Sequence, residues 1–187
     1  MSVVVAISGS HGSGKSTLCH EVVAELKKRG HRAGMVTESA RSSHYLIAGC
    51  KSPEMHMEVL CQHVLNEVRA ARMYSPVVCD RSVFDCLAYA RLRFPLEFER
   101  RDNFFLNTIE NFAHDYWQNY SLVLVTAGSF GNPEHDAIRA TERVQVEEFD
   151  RELRRLLNKF SVPYVELPPE SRVSAAMAII EPLLHTG

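Results

Sequence analysis

The side chains best suited to chemistry occur first in one short stretch, Gly9-Ser10-His11-Gly12-Ser13-Gly14-Lys15-Ser16-Thr17. It matches G-x-x-x-x-G-K-[ST] at every fixed position. Glycines let main-chain N–H groups wrap an anion where side chains would block the approach. The Lys15 ammonium is expected to reach β- and γ-phosphates, and the Ser16 hydroxyl to ligate Mg²⁺. The stretch, hereafter the phosphate loop (residues 9–17), is predicted to bind ATP with Mg²⁺, with GTP left open.

The elements that must position this loop are present on both sides of it. Residues 3–7 are apolar and predict a short buried strand, and apolar residues then recur at helical spacing over 18–26. A helix beginning near Lys15 would direct its unpaired N–H groups and positive dipole end at the anion. Thr17 either supports a phosphate or is simply a helix residue. His11 is either a tolerated variable position or touches the nucleotide or acceptor.

Strand and helix patterns alternate along the rest of the chain. Further strands are predicted at 31–37, 76–79, 122–125 and 163–167. Helical patterns cover a segment capped by Ser52, then 83–92, 96–117 and 149–157, and a last segment capped by Ser171. This alternation predicts an α/β fold, a three-layer α/β/α sandwich with a five-stranded, mostly parallel sheet. A length of 187 residues suits one domain over 1–187.

Charged residues follow the predicted second strand, where ligands bind in open α/β sheets. Glu38 and Arg41 are three apart, so on a helical turn they share a face. The carboxylate could accept a proton from an attacking hydroxyl, and the arginine could hold an anionic or hydroxyl-bearing part of the acceptor. The alternative is an exposed ion pair that contributes little to stability.

A second group follows the predicted third strand directly. Asp80 is where a carboxylate that orders Mg²⁺ or its water shell belongs, and Arg81 could reach the acceptor or the transferring phosphoryl group. Ser82 and Asp85 match a capping box, and a structural role is favoured for them.

A third group lies near a glycine-containing loop, in the region of about 128–145. Arg139 and Arg143 are four apart and could close over the nucleotide as an arginine-bearing lid. Either arginine could instead pair with Glu142 or Glu147 on a solvated helix.

Composition narrows the class of protein. The net charge of −2 shows no basic excess of the kind that long nucleic-acid contacts require. No apolar stretch approaches the length of a membrane span, so no membrane partner is expected. Five cysteines, an odd number with no C-x-x-C pair, predict a reducing, cytoplasmic location without a zinc site. A homodimer stays open.

The whole set of motifs resembles the nucleoside and nucleotide kinase group of P-loop phosphotransferases. Within that group it is most similar to the AAA-type ATPase/kinase family that includes the bacterial nicotinamide riboside kinase domain. Residues 38–41 and 136–139 are similar to that family's Glu-x-Ala-Arg and Asp-Gly-x-Arg elements, although Ala137 replaces the glycine. Residues 80–84 are similar to the Glu-Arg-Ser motif of deoxyribonucleoside kinases.

The resemblance implies roles for individual residues. Glu38 or Asp80 would be the general base, Arg81 would contact the acceptor, and Arg139 and Arg143 would be lid arginines. The Glu-x-x-Arg pairing also looks like that of polynucleotide 5′-kinases.

The function predicted from the sequence is therefore transfer of the γ-phosphoryl group of ATP to a hydroxyl of a nucleoside- or nucleotide-like acceptor. Two alternatives stay open. One is a polynucleotide kinase that acts on a 5′-hydroxyl or a hydroxymethylated base in a short DNA or RNA segment. The other is a regulatory P-loop NTPase without an acceptor.

Overall fold

A parallel sheet lies at the centre of the computed structural model, which describes residues 2–126 and 146–185. Its strands are β1 (Val4–Ser8), β2 (Gly34–Val36), β3 (Val77–Asp80), β4 (Leu122–Thr126) and β5 (Tyr164–Leu167). They are ordered β2-β3-β1-β4-β5, and every adjacent pair is parallel. The five-stranded α/β sheet predicted from the sequence is confirmed.

Helices connect these strands. They are α1 (Lys15–Lys28), α2 (His44–Ile47), α3 (Pro53–Met73), α4 (Val83–Arg93), α5 (Pro95–Arg100), α6 (Phe104–Tyr116), α7 (Val146–Lys159) and α8 (Arg172–Leu184). Two 3-10 turns, Ser39–Ser42 and Trp117–Asn119, supplement them. Within the described residues, none of these helices has the length and apolar character needed to cross a bilayer.

The central strand explains why the fold has three layers. Successive side chains of a strand point to opposite faces, and in β1 both faces are buried. Val4 and Ala6 pack into a core with α3, α4, α6 and α7. Val5 and Ile7 pack into a second core with α1 and α8. The sheet is therefore covered on both faces, as the sequence predicts.

Strand register brings the predicted chemistry to one edge. Ile7 lies opposite Asp80 across β1 and β3, and Ser8 lies opposite Val125 across β1 and β4. The carboxyl ends of these three strands therefore meet, and ligands of open α/β sheets bind beyond such ends.

Two local expectations are wrong. The continuous helical segment at 96–117 is broken, because Arg101 adopts a left-handed conformation with φ of 54° and ends α5. The Asn103 side chain then caps α6 by accepting from the Leu106 amide at 3.1 Å. Ser171 is also left-handed and its side chain makes no capping hydrogen bond. The cap at Ser52 is confirmed, since its hydroxyl accepts from the Met55 amide at 3.4 Å.

The packing of α4 gives a test of the core. Phe84 is 0% exposed and lies 6.0 Å from Phe160, ring centre to ring centre. We expect Phe84→Ala to lower the free energy of unfolding by about 3–5 kcal/mol, because the cavity left behind cannot fully close. Urea denaturation measures this change. The control is Phe104→Ala, at a side chain that is 74% exposed, which should shift stability by less than about 0.5 kcal/mol. Equal losses in the two variants would contradict this description of the core.

Candidate functional site

The phosphate loop connects β1 to α1 in a conformation that its glycines permit. Gly9, Gly12 and Gly14 have φ of 144°, 73° and 76°, values that side chains disfavour. Space is limiting at Gly9 as well, because a Cβ there would lie 2.5 Å from Thr126 Oγ1 and 2.6 Å from the Thr126 carbonyl oxygen. α1 begins at Lys15, so its free N–H groups face the loop.

Two carboxylates anchor the start of the loop. Asp85 Oδ1 accepts a hydrogen bond from the Gly9 amide at 3.2 Å, and Asp150 Oδ1 accepts one from the Ser10 amide at 3.1 Å. Asp85 is fully buried and Asp150 is 8% exposed. The start of the loop is therefore held by α4 and α7, which pack together on one face of the sheet.

Two further contacts fix the end of the loop. The hydroxyls of Ser13 and Thr126 are 2.9 Å apart, and the Arg172 guanidinium donates to the Ser13 carbonyl at 2.5 Å. Sequence reasoning missed Thr126, Asp150 and Arg172 as loop contacts. Thr126 could have been found as the last residue of a strand beside β1, but no motif marks the other two.

Lys15 is buried at the mouth of the loop. Its ammonium donates to the Ser10 carbonyl and, at 3.2 Å, to the Ser13 hydroxyl, so it lies over the loop's own main chain. Burial lowers the pKa of Lys15 to about 8, and the positive charge of Arg81 acts in the same direction. Carboxylates at Asp85, Asp80 and Glu38 oppose that shift.

Ser16 and Asp80, the predicted Mg²⁺ pair, are in direct contact. The Ser16 hydroxyl donates to Asp80 Oδ2 at 2.5 Å. Both groups offer oxygen, the ligand that Mg²⁺ prefers. Among residues 2–126 and 146–185 no group of three or more His, Cys, Asp and Glu side chains is arranged around a common point to hold a metal. The pair therefore has the ligand chemistry for a cation that is also held by phosphates.

Glu38 pairs with an arginine that its sequence spacing does not predict. Arg81 Nε donates to Glu38 Oε1 at 2.8 Å, and Arg81 Nη1 lies 3.3 Å from Asp85 Oδ1. Burial alone would lower the pKa of Arg81, but the carboxylates of Glu38, Asp85 and Asp80 hold it well above its ordinary value. The guanidinium is therefore a fixed positive charge, buried beside Lys15 and Asp80.

The capping box predicted from Ser82 and Asp85 is present at the start of α4. Asp85 Oδ2 accepts from both the amide and the hydroxyl of Ser82, each at 2.9 Å. The Ser8 hydroxyl in turn donates to Ser82 Oγ at 2.7 Å. Asp85 therefore has both the expected capping role and a contact with the phosphate loop.

An aromatic side chain joins the arginine to the loop. The Tyr89 ring lies 5.3 Å from the Arg81 guanidinium carbon and 4.3 Å from the Phe149 ring centre. Its hydroxyl is 3.5 Å from His11 Nδ1. Tyr89 follows Asp85 by one helical turn, which is the spacing that could have identified it.

Some predicted residues lie outside what the structure describes. Arg139, Arg143 and the whole of the proposed lid at 128–145 fall in the undescribed segment, and the Arg41 side chain is not described either. Thr17 is described and is exposed on α1. The roles predicted for these residues stay predictions.

Two cavities are lined by residues next to the candidate site in sequence or in contact with it. One, of about 360 Å³, lies between the 3-10 turn after Glu38 and α3, and all but one of its lining residues have polar side chains: Ser39, Ser43, His44, Glu58, Val59 and Gln62. The other, of about 490 Å³, lies between α1 and the start of α8, and Arg172, which contacts the loop at Ser13, is part of its lining.

Comparison with solved structures supports the fold. The structure of NadR protein in complex with NR matches 97% of this chain with a TM-score of 0.68 at 21% sequence identity. The structure of NadR protein in complex with NAD and AMP-PNP matches 95% of this chain with a TM-score of 0.64 at 22% identity. This chain spans about half the length of those proteins, covering 50% and 49% of them.

Sequence comparison assigns the family. A search of curated protein sequences found no match. Residues 4–174 match the AAA domain family AAA_28, a range that runs from β1 to the start of α8 and so contains the whole phosphate loop and every strand. The chain belongs to the AAA_28 family of AAA domains.

Proposed function

We propose that this protein is a kinase that transfers the γ-phosphoryl group of ATP to a hydroxyl of a nucleoside-like acceptor. The observation that carries the proposal is the pair of Glu38 and Arg81, part-buried and 2.8 Å apart, beside Lys15 and Asp80. A protein that only binds and hydrolyses a nucleotide has no evident use for this second carboxylate and arginine. Phosphoryl transfer to an alcohol needs such groups to orient and deprotonate the acceptor.

The reaction assigns a task to each charged side chain. Lys15 contacts the β- and γ-phosphates, and the loop amides surround them. The acceptor oxygen forms a bond to the γ-phosphorus while the bond to the β–γ bridging oxygen breaks, and its electron pair leaves with ADP. The hydroxyl proton goes to Glu38, since Asp80 is assigned with Ser16 to the metal. Arg81 holds the acceptor and offsets charge on the transferring group.

Ser16 and Asp80 would hold Mg²⁺, because both offer the oxygen ligands it requires. When bound, the ion would offset negative charge on the phosphate oxygens. The predicted lid arginines, Arg139 and Arg143, would close over the nucleotide and exclude water.

We assign one cavity to the nucleotide and the other to the acceptor. The cavity of about 490 Å³ shares Arg172 with the loop and would receive the base of the nucleotide. The cavity of about 360 Å³ starts at Ser39, directly after Glu38, and is within the size range of small-molecule sites. Its hydroxyl, imidazole, carboxylate and amide groups suit a hydroxyl-rich acceptor. Arg41 lies in the sequence between Ser39 and Ser43, two of the residues that line this cavity.

The polynucleotide alternative receives less support. It would place Arg41 and several of Arg91, Arg93, Arg100 and Arg101 on one basic rim. Arg91, however, lies 3.3 Å from Glu110 and 3.1 Å from Glu152, and its guanidinium packs on Phe98. Arg91 is thus packed between α6 and α7 with its side chain only 22% exposed, which does not fit a solvent-facing basic rim, so a small acceptor is favoured.

The primary test is transfer of labelled γ-phosphate, from ATP or GTP with Mg²⁺, to a panel of acceptors. The panel holds free nucleosides, nicotinamide riboside, mononucleotides, 5′-hydroxyl oligonucleotides and hydroxymethylated DNA. We expect label on one small hydroxyl compound. Lys15→Ala should abolish transfer, whereas Lys27→Ala, at an exposed position on the same helix, should not. Label on oligonucleotides alone would favour the polynucleotide kinase, and slow hydrolysis with no acceptor would favour the regulatory NTPase.

Kinetic measurements should distinguish the role of Glu38 from that of Asp80. Glu38→Gln should lower kcat by roughly 10²–10⁴-fold, the usual contribution of a general base, with little change in ATP affinity. Asp80→Asn should instead raise the Mg²⁺ concentration needed for half-maximal rate. Steady-state rates over a magnesium titration measure both effects. Glu38→Gln at the wild-type rate would remove Glu38 from the base role.

The lowered pKa of Lys15 predicts that the protein takes up a proton when it binds ATP. In the free protein the pKa is lowered to about 8, so above this pH the amine is increasingly neutral. A bound triphosphate favours the ammonium and raises its pKa. Binding at about pH 8.5 should therefore take up a proton, and affinity should fall as pH rises further. Calorimetry in two buffers of different ionisation enthalpy counts the protons. The uptake should be absent in Lys15→Met, and uptake retained in that variant would assign the proton to another group.

A further inference from the structure

The main chain that presents Arg81 is unusual. Arg81 has a φ of 96°, a left-handed value that a residue with a side chain adopts only when its surroundings impose it. On the side of the candidate site, Glu38 and Asp85 hold its guanidinium. The left-handed main chain at Arg81 therefore needs further contacts, besides those of its guanidinium, that hold its peptide groups in place.

A buried polar cluster lies behind this segment. Its members are His63 and Glu67 on α3, which are 4% and 2% exposed, and Tyr120, which is 7% exposed just before β4. We name it the His63–Glu67–Tyr120 cluster. His63 Nε2 lies 3.0 Å from Glu67 Oε1, and the Tyr120 hydroxyl donates to the same oxygen at 3.0 Å.

The cluster contacts the main chain on both sides of Ser82. The Tyr120 hydroxyl accepts from the Val83 amide at 3.0 Å, which satisfies a first-turn donor of α4. The main-chain carbonyl of Arg81 helps to raise the pKa of His63, which places the His63 ring beside the turn. Val83 is thus bonded to the cluster through its amide, and Arg81 lies next to the cluster.

The energetics argue for a positional role. An ion pair in an apolar core is expensive to desolvate, and apolar residues of the same volume are often as stable or more stable. Burial disfavours the charged form of His63, but the contacts with Glu67 and the Arg81 carbonyl raise its pKa above the ordinary value. The protonated ring carries a proton on each nitrogen, and the Glu67 carboxylate 3.0 Å from Nε2 favours this charged form.

We propose that His63, Glu67 and Tyr120 are positioning residues that hold the Arg81–Val83 main chain so that Arg81 is presented to the acceptor. The proposal rests on the function proposed above. None of the three touches a substrate; each acts through the peptide groups of the turn. Misplacing a catalytic group by about 1 Å can cost roughly a hundredfold in rate, so loss of this support should appear mainly in kcat.

The chain contains a matched control on the same helix. His56 precedes His63 by two helical turns and is equally buried, at 6% exposure. It packs edge-on against the Phe94 ring at 5.9 Å. Burial and the charge of Arg93 lower the pKa of His56 to about 3, so its ring is neutral. Replacing either histidine disturbs the packing of α3, but only His63 contacts Glu67 and lies beside the Arg81 turn.

The experiment compares His63→Gln, Tyr120→Phe and His56→Gln at a temperature where circular dichroism shows all three folded. We expect the first two to lower kcat roughly tenfold to a hundredfold, with the KM for ATP unchanged. His56→Gln should leave kcat at the wild-type value, even if it lowers the melting temperature as much as His63→Gln and Tyr120→Phe do. In an Arg81→Ala background the kcat effect of His63→Gln should vanish. An undiminished effect there, or an equal loss of kcat in His56→Gln, would overturn the proposal.

A second readout does not depend on activity. The Nε–H signal of Arg81, assigned by its loss in Arg81→Lys, reports the hydrogen bond to Glu38 in ¹⁵N NMR spectra. His63→Gln and Tyr120→Phe should shift it and speed its exchange with water, and His56→Gln should not. If wild-type protein transfers phosphate to no acceptor, the proposed function fails, yet this signal still decides the positioning role. An unchanged signal in both cluster variants would overturn it.

Discussion

The carboxylate of Asp85 is the interaction on which the rest of the candidate site depends. It is fully buried, and it accepts from the Gly9 amide, from the amide and hydroxyl of Ser82, and from Arg81. One side chain thus joins the first residue of the phosphate loop, the cap of α4 and the arginine beside Glu38. A buried carboxylate is tolerated only with such a set of donors. Its two oxygens therefore fix the distance between the phosphate loop and the Glu38–Arg81 pair.

The sequence predicts the local parts of this arrangement well. The phosphate loop, the five strands and the caps at Ser52 and Ser82 each depend on neighbouring residues, and each is found where the pattern indicates. The break at Arg101 was missed because the apolar spacing continues across it. Asn103 would have been a usable signal, since it is a favoured N-cap residue.

Long-range contacts are where sequence reasoning fails. Spacing pairs Glu38 with Arg41, whereas the structure brings Glu38 to Arg81, 43 residues away. Knowing that β2 and β3 are neighbours would have predicted the contact, because the carboxyl ends of adjacent parallel strands meet. No comparable rule leads to Asp150 or Arg172, which reach the loop from helices on opposite faces of the sheet. Such contacts depend on how helices pack, which the apolar pattern of each helix leaves open.

The anchoring of the phosphate loop also bears on how the chain folds during synthesis. β1 is synthesised before the other four strands, yet it is the central strand, and both of its neighbours are made much later. The loop is then fixed at Ser10 by a residue 140 positions further along and at Ser13 by one 159 positions further along. Contacts of such sequence separation close slowly, because the entropy of loop closure must be overcome before they form. A nascent chain therefore carries the complete motif long before its amides are held in place. The phosphate loop therefore gains its contact with Arg172 only once α8 has emerged, although its own residues are made long before.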